Sequence, residues 1–118
     1  MKKQKGDPHP VNLLDLIPEQ AIKSEKSEDG SSVLLKPKYR HAWFVKHVLP
    51  RMKSPNYKIK LDDIGSFIWD LCDGKRSVKE IGEKMEEKFG DKVEPLYDRL
   101  RIFFLHLEKN RFITFINL

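Results

Sequence analysis

Cysteine is almost missing from this chain: Cys72 stands alone among 118 residues. One thiol excludes an internal disulfide and fits a reducing compartment, so a cytoplasmic location is expected. Glycine is sparse too, six in all, and never clustered. That excludes a glycine-rich phosphate cradle, and no Gly-x-Ser-x-Gly elbow occurs either. No apolar run approaches the roughly 20 residues of a membrane-crossing helix. The opening MKKQKGDPHP has lysines but no apolar stretch behind them, so it does not read as a secretory signal. The most pointed absence is of acid. Residues 36–60 hold eight Lys or Arg and no Asp or Glu.

What is present suits a charge-rich globular protein. The apolar fraction is 39% and the charged fraction 35%, with a net charge of +5. The length fits one domain with a real core and little left over for a deep cavity. The charge is uneven: residues 1–60 carry 13 basic against 6 acidic residues, and residues 61–118 carry 10 against 12. The basic half is either a solvated surface or an attraction for an acidic partner.

Residues 1–12 are polar and read as a flexible tail, followed by one domain over 13–118. Within 13–24, Pro18 disfavours a helix and suits an edge strand or a strand start. Residues 25–32 read as a turn on Asp29-Gly30, and Val33 to Lys36 as a second strand. Together these predict an N-terminal hairpin. Residues 37–56 are a basic, aromatic insertion of unsettled form, either a short helix closed by Pro50 or an irregular excursion. Tyr57 to Leu61 then alternate, with Tyr57, Ile59 and Leu61 on one face and Lys58 and Lys60 on the other, as a half-buried strand does.

The remainder is helical. A first helix follows Asp62 or Asp63 as N-cap and places Ile64, Ile68 and Leu71 at helical spacing, with Phe67 and Cys72 beside them. Asp73-Gly74 ends it. Ser77 and Glu80 form a capping box for a second helix, which buries Val78, Ile81, Met85 and Phe89 and ends at Gly90. A third helix spans about Val93 to Asn110, with Pro95 in its first turn. Its core stripe is Val93, Leu96, Leu100, Phe103, Phe104 and Leu107. Ile102 and Leu105 lie nearly opposite, beside Asp98, Arg101 and Lys109. The N-terminal hairpin covers this second apolar face, or it is an exposed groove for a partner. The residues alone favour cover. Phe112-Ile113 opens a short terminal strand or extension.

Catalytic chemistry finds little footing. The histidines (His9, His41, His47, His106) and Cys72 lack zinc-ligand spacing. The four aspartates of residues 61–81 lack a calcium-loop pattern. Cys72 sits at the C-terminal end of its helix beside Asp70 and Asp73, the wrong place for a reactive thiolate. Those aspartates serve as caps, an Asp-Gly stop and a solvated position. No cofactor is expected. Aromatics among cations over 36–60 suit single-stranded nucleic acid. A duplex reader, however, needs a basic recognition helix, and the third helix mixes Arg99 and Arg101 with Glu94, Asp98 and Glu108.

Order and spacing carry a resemblance. Leu61-Asp62, Asp73-Gly74, Ser77-Val78, Ile81, Phe103-Phe104, Leu107 and Phe112-Ile113 together resemble the PqqD family, the pyrroloquinoline-quinone biosynthesis D proteins and related precursor-peptide recognition elements. The likeness covers residues 57–115, and the hairpin over 13–36 is consistent with the family's first two strands. It departs from the family in the long basic insertion and in Arg111, where the family often has glycine.

The resemblance implies an α+β, winged-helix-like fold: a three-stranded antiparallel sheet packed on three helices. It implies a non-catalytic module that binds the leader of a ribosomally made peptide and presents it to a modifying enzyme, often a radical S-adenosylmethionine enzyme. The leader would add beside Tyr57, Lys58, Ile59, Lys60 and Leu61, against a helical wall of Asp98, Arg101, Ile102 and Leu105. The resemblance therefore moves that second face from cover toward groove. Lys58 and Lys60 would favour an acidic leader. A winged-helix nucleic-acid binder and an assembly module of the same fold are the competing readings. Nucleic acid is disfavoured and a membrane is not expected. The chain could be a monomer, or a dimer paired through its strand edge.

Overall fold

The computed structural model of the protein describes residues 12–37, 46–47 and 56–118. Among the described residues there are five strands: β1 (Pro18–Gln20), β2 (Ser24–Lys26), β3 (Ser32–Pro37), β4 (Asn56–Lys60) and β5 (Ile113–Phe115). Three α-helices follow β4: α1 (Asp63–Leu71), α2 (Val78–Phe89) and α3 (Leu96–Lys109). Short 3-10 turns cover Leu13–Asp15 and Gly90–Val93. The fold is α+β, with the three helices and the three-stranded antiparallel sheet of a winged-helix-like inventory. The expected tail, residues 1–12, falls outside the described residues except for Asn12. So does the insertion, except for Pro37, a helical pair at Lys46 and His47, and Asn56.

The chain divides into two compact units: residues up to 21 together with 67–118, and residues 22–66. In the second unit the strands run in the order β2-β3-β4, each pairing antiparallel. Asp29-Gly30 turns β2 into β3. Gly30 sits at φ 86°, a conformation that favours glycine. The Asp29 carboxylate accepts hydrogen bonds from the Ser27 hydroxyl and from the Ser31 N–H at 2.9 Å. Leu34 is fully buried at the middle of β3.

The helical unit holds the large core. Trp69, Ile81, Met85, Leu100, Phe104 and Ile113 are all 1% exposed or less. Each such side chain contributes roughly 1.5–3 kcal/mol of apolar transfer energy. The Ser77 capping box forms in both directions: Glu80 N–H to the Ser77 hydroxyl at 3.1 Å, and Ser77 N–H to the Glu80 carboxylate at 2.8 Å. Asp73-Gly74 ends α1, with Gly74 at φ 77°.

Three expectations are corrected. The stretch 13–36 is not one hairpin. Pro18 does start a strand, but that strand pairs with β5, in the register Pro18 to Phe115 and Gln20 to Ile113. Its other side bonds the α1–α2 turn: Gln20 N–H to the Cys72 carbonyl at 3.1 Å, and Gly74 N–H to the Pro18 carbonyl at 2.9 Å. The hairpin is β2–β3, and it takes in Glu25 and Lys26, read from sequence as turn. The buried apolar side chains of α1 and the residue after it are Ile68, Trp69 and Cys72, while Phe67 and Leu71 stay half-buried. The core side is thus rotated toward Trp69. Finally, Val93 closes a 3-10 turn and Pro95 is the N-cap of α3 rather than part of its first turn. Proline pushes the preceding residue out of helical geometry, and Glu94 is accordingly extended at ψ 142°.

Candidate functional site

β4 has β3 as its one partner among the described strands, so it is an edge strand there. The register and one hydrogen bond establish which backbone groups face outward. Leu61 N–H donates to the Ser32 carbonyl across the ladder at 2.9 Å. Antiparallel pairs alternate, so Ile59 and Tyr57 also turn their main chain toward β3, opposite Leu34 and Lys36. Lys58 and Lys60 turn theirs away. Hydrogen bonding from Leu35 N–H to the Lys23 carbonyl at 2.9 Å, on the far side of β3, agrees with this phase.

Side chains alternate across the sheet. Tyr57 is 55% exposed, while Ile59 and Leu61 are half-buried. On the other face Lys58 Nζ lies 3.4 Å from Glu25, and Lys60 Nζ lies 2.9 Å from Asp29. Both lysines therefore already have acidic neighbours within their own sheet, which weakens their pull on an acidic leader. These exposed pairs contribute little stability. The Asp29 carboxyl is held well below the usual carboxylate range, first by the Ser27 hydroxyl and then by the Lys60 ammonium.

The end of β4 is fixed in place. Asp62 Oδ1 accepts the Gly65 N–H at 2.7 Å and caps α1. Ser66 Oγ accepts the Ser32 N–H at 2.8 Å. The strand therefore runs straight into a capped helix.

On α3, Ile102 is 54% exposed and Leu105 is 45% exposed. Asp98 and Arg101 are exposed beside them. Tyr97, 44% exposed, borders the same face one turn before Arg101. Sequence reading passed over it, although the spacing of four to Arg101 and eight to Leu105 is its signal.

Catalytic and metal chemistry has no assembled group among the described residues. No cluster of three His, Cys, Asp or Glu could hold a metal there. Cys72 is buried and donates to the Ile68 carbonyl at 3.3 Å. Burial, and then the charges of Asp73 and Asp70, push its thiol up to about 12. No helix among the described residues is long and apolar enough to cross a membrane.

The described residues form a small α+β fold with an edge strand, a capped helix after it and an amphipathic third helix. The family model described as coenzyme PQQ synthesis protein D matches residues 46–113, more than half of the chain, and the chain belongs to this PqqD family. Membership places it with accessory proteins of biosynthesis that work with a peptide and with enzyme partners. The match begins inside the basic stretch, at residue 46, and leaves out the β2–β3 hairpin. No match was found among curated proteins or solved structures.

Proposed function

We propose that this chain is a non-catalytic peptide-binding module that holds the leader of a ribosomally synthesised precursor and presents it to a modifying enzyme. Family membership supports the biosynthetic setting. The observation that carries the binding mode is the edge of β4, where the main chains of Lys58 and Lys60 turn away from β3. An extended peptide that adds to such an edge gains main-chain hydrogen bonds, and alternate side chains set its specificity. Tyr57, Ile59 and Leu61 supply the side chains of one face of the strand, and Lys58 and Lys60 those of the other. Ile102 and Leu105, flanked by Asp98 and Arg101, offer apolar contacts on α3. The modifying enzyme is a radical S-adenosylmethionine enzyme or another peptide-modifying enzyme.

The test uses a synthetic leader copied from a short precursor peptide encoded beside this protein. Amide exchange should slow at Lys58 and Lys60 on binding, whereas Ile59 and Leu61, already facing β3, should change little. Lys58→Pro removes one outward N–H at an edge position that tolerates proline. It should abolish binding while Lys58→Ala retains it. Equal binding by both variants would refute addition at this edge.

A further inference from the structure

Within the helical unit, α1 and α2 leave an open cleft of about 380 Å³. Its apolar floor is Phe67 and Leu71, one turn apart on α1 and both half-buried. Arg76, Lys84, Glu87 and Lys88 complete the lining, three cations against one carboxylate. The Phe67 ring meets Phe89 edge-on at 5.4 Å between centroids. Lys88 Nζ stands 5.6 Å from the Phe67 centroid and 5.9 Å from that of Phe89. An ammonium over two ring faces is held near the cleft by cation–π attraction. Arg76 is already engaged, its Nη1 2.5 Å from Asp73 Oδ2. The unspent positive charge is therefore carried by Lys84 and Lys88, one helical turn apart. None of the residues assigned above to leader binding lines this cleft.

We propose that the cleft docks an acidic segment of a partner protein. One large apolar side chain of that segment enters over Phe67 and Leu71, and carboxylates flanking it meet Lys84 and Lys88. Three features select this occupant. The floor is apolar, so an anchor that removes it from water is favoured. The cations are spaced by one turn, which matches acidic residues spaced by one turn on a partner helix. The cleft is open, whereas sites for small molecules enclose most of the ligand surface. An apolar centre with a charged rim is the anatomy of a protein interface. A nucleic acid would satisfy the lysines but leave the Phe67–Leu71 floor without an aliphatic anchor.

The test titrates the isotope-labelled full chain with a short synthetic peptide carrying one leucine among glutamates. Three control probes accompany it: the same peptide with alanine for leucine, a version with lysines for glutamates, and a single-stranded oligonucleotide. Amide shifts are expected at Phe67, Leu71, Lys84 and Lys88. Losing the leucine, or introducing Lys84→Glu with Lys88→Glu, should weaken binding by about tenfold or more. Both lysines are exposed, and circular dichroism checks that the helices persist. Lys84→Gln with Lys88→Gln removes the charge without repulsion and should act in the same direction, less strongly. The proposal is overturned if shifts are absent or confined to β4 and α3. It is also overturned if the lysine peptide or the oligonucleotide binds as well, or if neither double variant weakens binding. Lys58→Pro should leave this docking intact, so its failure and that of leader binding are told apart.

Discussion

The Ser66 hydroxyl accepts the buried backbone N–H of Ser32 at 2.8 Å, fastening the first residue of β3 to α1. Both residues are buried, at 6% and 1% exposure. Ser66→Ala removes the acceptor and leaves a desolvated donor in its place. Urea unfolding should show a loss of about 1–3 kcal/mol. An unchanged midpoint would mean that the donor finds another acceptor.

Asp29 makes stability depend on acid. Its carboxyl is held low in the folded chain, first by the Ser27 hydroxyl and then by Lys60. A depressed carboxyl contributes stability that is fully present above its unfolded value and is lost as pH falls toward the folded one. Asp29→Asn should therefore be less stable than the parent protein at neutral pH. The gap should hold down to about pH 4, the ordinary carboxylate value, and narrow below it. Because the carboxylate is exposed, added salt should shrink the gap as well. Unfolding curves across pH and salt read both effects.

Cys72 should resist thiol reagents. Its sulfur is buried and its ionisation is pushed up to about 12 by burial, then by Asp73 and Asp70. Labelling of the folded chain should be more than about a hundredfold slower than in denaturant, since the thiolate is the reacting form. Fast labelling of the folded protein would show that α1 opens readily.

Gly74 and Gly30 both sit at positive φ, but their surroundings differ. A Cβ at Gly74 would lie 2.9 Å from the Glu19 carboxylate, whereas one at Gly30 meets nothing within 4 Å. Gly30→Ala should cost about 1–2 kcal/mol from backbone strain alone. Gly74→Ala should cost more, because Glu19 must also move. Thermal melts of the two variants give the order directly.

Local chemistry was legible in the sequence. The Ser77–Glu80 capping box, the Asp73-Gly74 stop and the alternation of Tyr57 to Leu61 are each set by residues within a few positions of one another. The capping box and the stop stand in the structure, and a strand forms over Asn56–Lys60, but its alternation fails at Tyr57, which is exposed. Long-range pairing was not legible. Pro18 to Gln20 contain one apolar position facing the core and two exposed ones, and nothing in three residues tells a partner at Lys26 from one at Phe115. Trp69 was passed over in the α1 core because the stripe was drawn through Ile64 and Leu71. The second apolar side formed by Ile102 and Leu105 was readable, but the extent of its exposure was not. That depends on which elements fold over it, and a helical periodicity holds no record of its neighbours.

The β1–β5 ladder imposes an order on assembly. Among the described residues, the strands of the 22–66 unit pair with one another, so these hydrogen bonds can close as soon as Leu61 has been synthesised. β1 is made before any of them, yet it waits for residues 113–115 before its ladder can form. Until then the Leu16–Gln20 segment bonds α1, the α1–α2 turn and the start of α2, through Trp69, Cys72, Gly74 and Val78. During synthesis the helical unit is thus the last to be sealed, and a chain halted before β5 would expose the backbone that Ile113 to Phe115 normally cover.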